Sequence, residues 1–202
     1  MSKEPKIIMF NGPPNSGKDT LADELVKILG PKALRSSFAL SLKDLVATAL
    51  FVTVEDVERH KDEAMNVAAG GDSMAILALD DVTFRDALIY FSEGFMKPLF
   101  GHNIWGKTLS LALKLHMEEQ PDTEFCVISD LGFEDELQTF IDDYGAENVL
   151  VVRVSRHDTS FENDSRHYVE CKDCAIIGVK NENKTPNEVC QSILEANETF
   201  FN

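Results

Sequence analysis

The sequence is poor in cysteine, tryptophan and basic residues. Its 202 residues include four Cys, one Trp and 19 Lys or Arg against 35 Asp or Glu, so the net charge is −16. This charge excludes broad binding to nucleic acid or to an anionic membrane, because both need a long-range positive field. A phosphate site in this protein must therefore be built from a local group of cations.

The sequence also lacks an apolar run long enough to cross a bilayer, internal repeats and low-complexity tracts. Its polar start, MSKEPK, has no apolar core of the kind found in a signal peptide. We therefore expect a cytoplasmic protein with reduced thiols. Hydrophobic residues make up 44% of the chain, which is enough for the core of a single domain.

The few cysteines include one CxxC pair, Cys171 and Cys174, with His157 and His167 upstream. These four side chains could supply a zinc site. A structural zinc site usually has two clear ligand pairs, however, and Cys174 opens the apolar run CAIIGV. A small buried residue is the simpler explanation for Cys174.

Strand and helix patterns alternate along the chain, which predicts the α/β class. Four short apolar runs rich in β-branched residues are typical of buried parallel strands, at 7–10, 125–129, 149–154 and 175–179. Helical spacing predicts helices over 18–29, 40–50, 54–68, 83–93, 104–119, 134–144 and 185–196. Residues 70–73 read as a loop between two helices, and 157–170 as a polar, aperiodic segment.

The most informative motif lies between the first strand and the first helix. It reads Gly12-x-x-x-x-Gly17-Lys18-Asp19-Thr20 and predicts a phosphate loop. Glycines let backbone N–H groups turn inward around a polyphosphate, while the helix N-terminus and the lysine add positive charge. The residues predicted to bind ATP are Gly12, Asn15, Ser16, Gly17, Lys18, Asp19 and Thr20. The alternative is a tight turn that binds nothing.

The loop departs from the consensus at one position. A Ser or Thr normally follows the lysine and reaches Mg²⁺, but this chain has Asp19 there and Thr20 behind it. We therefore expect an unusual metal site, with Asp19 as one of its ligands. Pro13 and Pro14 remove two amide donors, but they fall before the turn that would face the phosphates.

Further candidates follow the other strands, because ligands of open α/β sheets collect at the carboxyl ends of the strands. Asp130, after the second run, has the position of a Walker B carboxylate and is a candidate catalytic residue and Mg²⁺ ligand. Arg153 and Arg156, after the third, are placed to bind a phosphoryl group under transfer. The alternatives are a helix cap for Asp130 and surface ion pairs for the two arginines.

The motifs SGKDT, FALSLKD, TFRDAL, NIWGK, CVISDLGFEDEL and VVRVSR occur in this order. The chain therefore resembles, over nearly its whole length, the bacteriophage deoxynucleoside monophosphate kinases of the P-loop kinase superfamily. The resemblance implies a P-loop kinase fold with a helical monophosphate-binding region at about 40–120 and a small mobile lid at about 153–172. It also implies ATP, Mg²⁺ and a nucleoside monophosphate as ligands, host cytoplasm if the protein is viral, and leaves a homodimer open.

The resemblance also implies roles on the acceptor side. Lys43 and Arg85 would bind the monophosphate, Trp105 would stack on or border the base, and Asp130 and Glu136 would lie near the acceptor. The alternatives are a lysine on a helix face, an arginine paired to a nearby aspartate, and a tryptophan in the core.

The chain departs from the family pattern at three places. Gly132 stands where the family has arginine, Phe84 where it has proline, and the segment 165–170 differs from the usual Asp-His-Pro-Ser-Glu. Arg166 is a candidate to replace the charge missing at Gly132. The expected activity is ATP-dependent phosphorylation of (deoxy)nucleoside monophosphates. The alternatives are a kinase of the phosphomevalonate or dephospho-coenzyme A type and a non-catalytic nucleotide-binding protein.

Overall fold

The computed structural model describes residues 4–68, 76–162 and 164–201. Contacts between Cα atoms divide the chain into two compact units, a first unit of residues 1–38 and 106–202 and a second unit of residues 39–105. None of the helices in the described ranges is long and apolar enough to cross a membrane.

The described residues form both strands and helices, as expected for the α/β class. The strands are β1 (Lys6–Asn11), β2 (Ala33–Ser36), β3 (Ala64–Ala68), β4 (Ile76–Thr83), β5 (Phe125–Leu131), β6 (Val149–Ser155) and β7 (Ala175–Lys180). The α-helices are α1 (Lys18–Leu29), α2 (Ala39–Leu50), α3 (Val54–Arg59), α4 (Phe84–Ile89), α5 (Lys97–Phe100), α6 (Ile104–Glu119), α7 (Glu134–Tyr144), α8 (Pro186–Ala196) and α9 (Glu198–Phe201). A π-helix, Tyr90–Met96, links α4 to α5.

The first unit is built on a five-stranded parallel sheet in the order β2-β5-β1-β6-β7. The central strand β1 pairs Ile8 with Val127 of β5 and with Leu150 of β6. The residues from Ile7 to Phe10 are fully buried, so both faces of this strand are covered, as expected for a parallel sheet flanked by helices. The predicted fold class is confirmed.

Helices α1 and α8 pack on the core through their apolar faces. Leu21 and Leu25 of α1 join Val189 and Ile193 of α8 in one buried cluster with strand residues. Helix α8 begins where the sequence predicts, because Thr185 and a glutamate three residues later form a capping box around its first turn. The sheet therefore has a rigid backing behind the loop that joins β1 to α1.

The second unit differs from the sequence prediction. The predicted helix over 54–68 ends at Arg59, and residues 64–68 instead form β3, which pairs with β4 as an antiparallel hairpin. The predicted helix over 83–93 begins at Phe84 and passes into the π-helix at Tyr90. The predicted loop at 70–73 falls outside the described residues, and the elements on either side of it are strands. Strand pairing here overrides local helical propensity.

Candidate functional site

The loop between β1 and α1 has the backbone geometry of an anion site. Asn15 and Gly17 adopt left-handed conformations, with φ of 62° and 91°. No side chain among the described residues caps the N-terminus of α1, so its first amides are not used by a capping group. Amides at an uncapped helix N-terminus, together with the helix dipole, attract phosphate oxygens.

Lys18 lies across this loop. Its Nζ donates a hydrogen bond to the carbonyl oxygen of Pro13 at 2.6 Å, and the side chain is buried. Burial lowers the pKa of Lys18, and the positive charge of Arg166 lowers it further. An ammonium has three donors, so this contact with a neutral carbonyl leaves Lys18 able to bind a phosphate oxygen.

Asn181, which the sequence analysis missed, binds the backbone of the phosphate loop. Asn181, just after β7, donates from Nδ2 to the carbonyl oxygen of Ser16 at 2.9 Å, and its backbone N–H donates to Ser155 at 2.9 Å. A Cβ at Gly17 would fall on this Asn181 amide. Gly17 is therefore required both for its backbone conformation and for the approach of Asn181. The only local signal for Asn181 was its place after a predicted strand.

A cavity of about 610 Å³ opens beside the loop. Its walls are Gly17 and Thr20, the residues Arg156 and His157 after β6, and the segment 181–186. Two of the residues predicted to bind ATP, Gly17 and Thr20, thus line this cavity.

Asp19 takes part in a hydrogen-bonded group at the carboxyl end of the sheet. Its Oδ1 accepts from Ser129 Oγ at 2.6 Å and from Arg35 Nη2 at 3.1 Å, while 79% of the side chain is exposed. Asp130, the next residue of β5, accepts from the backbone N–H of Phe38 at 2.8 Å. The N-cap of α7 is Phe133, so the cap interpretation of Asp130 is wrong for this helix. The metal-binding role of the two carboxylates stays a prediction.

Glu136 is buried and holds the turn between β5 and α7. Its Oε2 accepts from the N–H groups of Gly132 and Phe133, at 3.1 and 3.2 Å. These contacts make Glu136 the residue that shapes the turn after Asp130. Its predicted place near the acceptor stays a prediction.

Arg153 and Arg156 have different surroundings. Arg153 Nη2 donates to the carbonyl oxygen of Val169, and its guanidinium lies 6.0 Å from the ring centre of Tyr168. Within the described residues, Arg153 Nε is buried without a hydrogen-bond partner. Arg156 lies in the wall of the cavity. Of the two, Arg156 is the better placed to contact a nucleotide in the cavity.

A second missed residue, Asn11, ties the polar segment 157–170 to the sheet. Its Nδ2 donates to the carbonyl oxygens of Leu131 and His167 at 3.0 Å each, and its Oδ1 accepts from the N–H of Val169 at 3.1 Å. Asn11 is fully buried. The segment is therefore fixed to the carboxyl end of β1 at residues 167–169.

Three of the five residues predicted on the acceptor side lie in the second unit, each with a partner there. Lys43 pairs with Glu58 at 2.7 Å, and Arg85 pairs with Asp62 at 2.5 Å. Trp105 is buried, with 6% of its surface exposed, and its indole N–H donates to Ser92 Oγ at 2.9 Å. This burial favours the core interpretation of Trp105 over stacking on a base.

The CxxC pair shows no metal-binding arrangement. Cys171 Sγ accepts a hydrogen bond from the N–H of Cys174 at 3.2 Å, and burial raises the pKa of the Cys174 thiol to about 12. Among the described residues, no group of three or more His, Cys, Asp or Glu side chains is arranged to hold a metal ion by itself. A Mg²⁺ ion at the phosphate loop would need phosphate oxygens as further ligands.

Comparison with known proteins shows the fold of this chain. No protein-family model and no curated protein matches it. Two solved structures are similar over almost the whole of both chains. The protein APE1195 is 11% identical, with a TM-score of 0.52 and coverage of 99% of this chain and 98% of the other.

The second, a protein proposed to be a kinase from Chloroflexus aurantiacus j-10-fl, is 11% identical, with a TM-score of 0.50 and coverage of 98% and 99%. A shikimate kinase from Aquifex aeolicus is 16% identical, with a TM-score of 0.44 and coverage of 96% of each chain. At these identities the likeness concerns the fold. The chain shares with APE1195 and the Chloroflexus protein an α/β fold with a parallel sheet flanked by helices.

Proposed function

We propose that this protein is an ATP-dependent (deoxy)nucleoside monophosphate kinase. The observation that carries the proposal is the phosphate loop itself: left-handed residues at Asn15 and Gly17, an uncapped helix N-terminus and a buried Lys18. The adjacent cavity has room for a nucleoside. The choice of a monophosphate acceptor rests on the ordered motifs and is the finer part of the proposal.

The reaction needs little covalent chemistry from the protein. An oxygen of the acceptor phosphate forms a bond to the γ-phosphorus of ATP, and the bond from that phosphorus to the β–γ bridging oxygen breaks, its electron pair leaving with ADP. No general base is needed, because the acceptor is already an oxyanion. The protein contributes positioning, exclusion of water and positive charge.

Each part of the first unit has a place in this scheme. Lys18 exchanges the neutral Pro13 carbonyl for a charged phosphate oxygen, which is the stronger partner. The loop amides up to Thr20 bind the β and γ phosphates, and Arg156 contacts the nucleotide from the cavity wall. Arg153 would bind the phosphoryl group under transfer, and its contact with the carbonyl oxygen of Val169 would position the segment 157–170 beside the reaction centre.

The residues fit a bound Mg²⁺ in the way such ions are usually held, by one or two carboxylates together with phosphate oxygens. Asp19 and Asp130 would hold the ion or its waters, and its charge would neutralise the phosphates. On the acceptor side, Lys43 and Arg85 would bind the monophosphate. Each would exchange its ion pair, with Glu58 or Asp62, for a phosphate oxygen.

The burial of Trp105 keeps one alternative open. An indole free to stack would favour a nucleobase over another phosphorylated acceptor, because a non-base acceptor gains little from stacking, but in the structure it is enclosed within the second unit. A kinase for a non-nucleotide phosphate, of the phosphomevalonate or dephospho-coenzyme A type, is therefore the second candidate.

A coupled assay of ADP release tests both candidates. Purified protein with ATP and Mg²⁺ is given a panel of (deoxy)nucleoside monophosphates, phosphomevalonate and dephospho-coenzyme A. We expect turnover with at least one nucleoside monophosphate and with neither of the other two acceptors. Turnover with phosphomevalonate or dephospho-coenzyme A alone would refute the proposal in favour of the second candidate. ATP binding without turnover of any acceptor would indicate a non-catalytic nucleotide-binding protein.

The role of the phosphate loop is tested by Lys18→Ala. Removing a preorganised charge at the reaction centre typically lowers kcat by about 10²-fold to 10³-fold. Lys27→Ala is the matched control, because Lys27 lies on the same helix, is exposed and pairs with Glu24 on the helix surface. A Lys18→Ala variant that keeps half of the wild-type turnover would contradict the mechanism.

A further inference from the structure

Gly132 and Arg166 share one space at the carboxyl end of β5. A Cβ built on Gly132 would lie 2.8 Å from Cδ and 3.0 Å from Cγ of Arg166. Real Cβ atoms essentially never approach another heavy atom below 3.0 Å. The middle of the Arg166 side chain therefore lies where any larger residue at position 132 would place its first carbon.

The guanidinium of Arg166 is held in a fixed direction. Asp164 accepts from Nε at 2.8 Å and from Nη2 at 2.6 Å, and its Oδ1 also accepts from the backbone N–H of Arg166 at 3.0 Å. The next residues of the segment are tied to Asn11. A guanidinium has five donors, so the two bonds to Asp164 leave others for an anion.

Arg166 also lies close to the phosphate loop. It directly precedes His167, whose carbonyl oxygen accepts from Asn11, the last residue of β1 and the residue before Gly12 of the loop. Gly132 directly follows β5, the strand that pairs with β1, and Lys18 Nζ is held at the carbonyl of Pro13 in the same loop. A phosphoryl group bound at this loop can accept from both cations, because charge-assisted contacts to phosphate oxygens are stronger than contacts to neutral groups. The pairing with Asp164 fixes the direction of the guanidinium, and its remaining N–H donors can still bind an anion beside Lys18.

We propose that Arg166, which the absence of a side chain at Gly132 admits to this place, binds the terminal phosphoryl group of ATP together with Lys18. Gly132 is the positioning residue of this pair. The inference rests on the proposed function for the ligand, and it adds a cation that reaches the site from the segment after β6.

The experiment measures binding of ATP and of ADP separately, by isothermal titration calorimetry without an acceptor. ADP lacks the phosphoryl group in question, so it serves as the internal control. Arg166→Ala should weaken ATP binding by roughly tenfold or more, the usual value of a charge-assisted phosphate contact, and leave ADP binding within about twofold. Arg166→Lys should recover part of the loss for ATP.

Gly132→Ala tests the shared space. The added Cβ should displace Arg166 and reproduce the selective loss of ATP affinity, and in an Arg166→Ala background the same change should have no further effect. Gly178→Ala is the matched control, because a Cβ at Gly178 would meet nothing within 4 Å. It should bind both nucleotides like the wild type.

Two results would overturn the inference. If Arg166→Ala weakens ATP and ADP equally, the arginine only stabilises the segment; if neither affinity changes, it does not contact the nucleotide. The proposed function fails separately, by the absence of turnover with the acceptor panel in the wild type. A wild-type protein that binds ATP, loses that affinity selectively in Arg166→Ala and transfers to no monophosphate would keep the inference and refute the kinase assignment.

Discussion

Gly12 offers a direct test of how closely the phosphate loop is fitted to the sheet. A Cβ at this position would lie 3.0 Å from Ser16 Oγ and 3.3 Å from the carbonyl carbon of Val154, and closer still to the carbonyl oxygen of Val154. That oxygen belongs to the backbone of β6, so it cannot rotate away as a side chain would. The Gly12→Ala variant must instead lift the loop away from the sheet.

The size of the effect follows from this geometry. The loop must move by on the order of 1 Å, and a misplacement of that size at a reaction centre can lower the rate by about 100-fold. The overpacking should also destabilise the fold by about 1–3 kcal/mol. We therefore expect weaker ATP binding, a strongly reduced kcat and a lower Tm, all without loss of the overall fold.

Calorimetry with ATP, the coupled ADP assay and thermal unfolding measure these three effects. Gly178→Ala, with open space around the added carbon, is the control for replacing a glycine in this unit and should resemble the wild type. A Gly12→Ala variant with wild-type ATP affinity and turnover would refute the close packing of the loop on β6 as a requirement for nucleotide binding.

Three further predictions concern charged and thiol groups. Asp19→Ser should lower Mg²⁺-dependent turnover with little change in Tm, because its ion pair with Arg35 is exposed. The control is Asp23→Ser, which removes the other carboxylate bound by Arg35 and should keep wild-type turnover. If the two variants were equally active, Asp19 would be only an acidic residue that the helix dipole favours in the first turn. Iodoacetamide should label Cys171 of the native protein before Cys174, since burial raises the pKa of the Cys174 thiol to about 12, and mass spectrometry showing the reverse order would contradict this. Hydrogen bonds from its arginine partner hold the pKa of Asp164 below that of an ordinary aspartate, so the pair stabilises the fold above the ordinary pKa and this contribution is lost as the pH falls through the lowered one. Asp164→Asn should therefore have a lower Tm than the wild type near neutral pH, with the difference shrinking in acid.

The sheet and its helices could be predicted because their signals are local. Residues 7–10 are apolar without interruption, as a central parallel strand requires, and the glycines that follow mark the loop. Strand β2 was missed because it has only four residues, all of them partly exposed. The hairpin of the second unit was missed because 64–68 continue a helical pattern and become a strand only through pairing with β4.

The candidate site was predictable only in part, for a related reason. Lys18 and its neighbours lie in one continuous motif, so their chemistry can be inferred from sequence. Asn181 contacts Ser16 across 165 positions, and Asn11 contacts Val169 across 158. No spacing rule links residues that far apart, and a buried asparagine has no pattern of its own. Contacts of this kind become visible only when strands that are distant in sequence are placed side by side.

The strongly negative charge of the chain makes the partners of the cations in the candidate site important. In a protein with a net charge of −16, a free cation near the site would readily pair with one of many carboxylates. Lys18 and Arg153 are instead bound to the backbone carbonyls of Pro13 and Val169. A neutral carbonyl holds a cation in place but is a weaker partner than a phosphate oxygen, so the exchange on binding favours the nucleotide. In the proposed phosphate site, Lys18 and Arg153 thus stay unpaired with the carboxylates that the structure describes in this acidic chain, whereas Arg166 is held by Asp164.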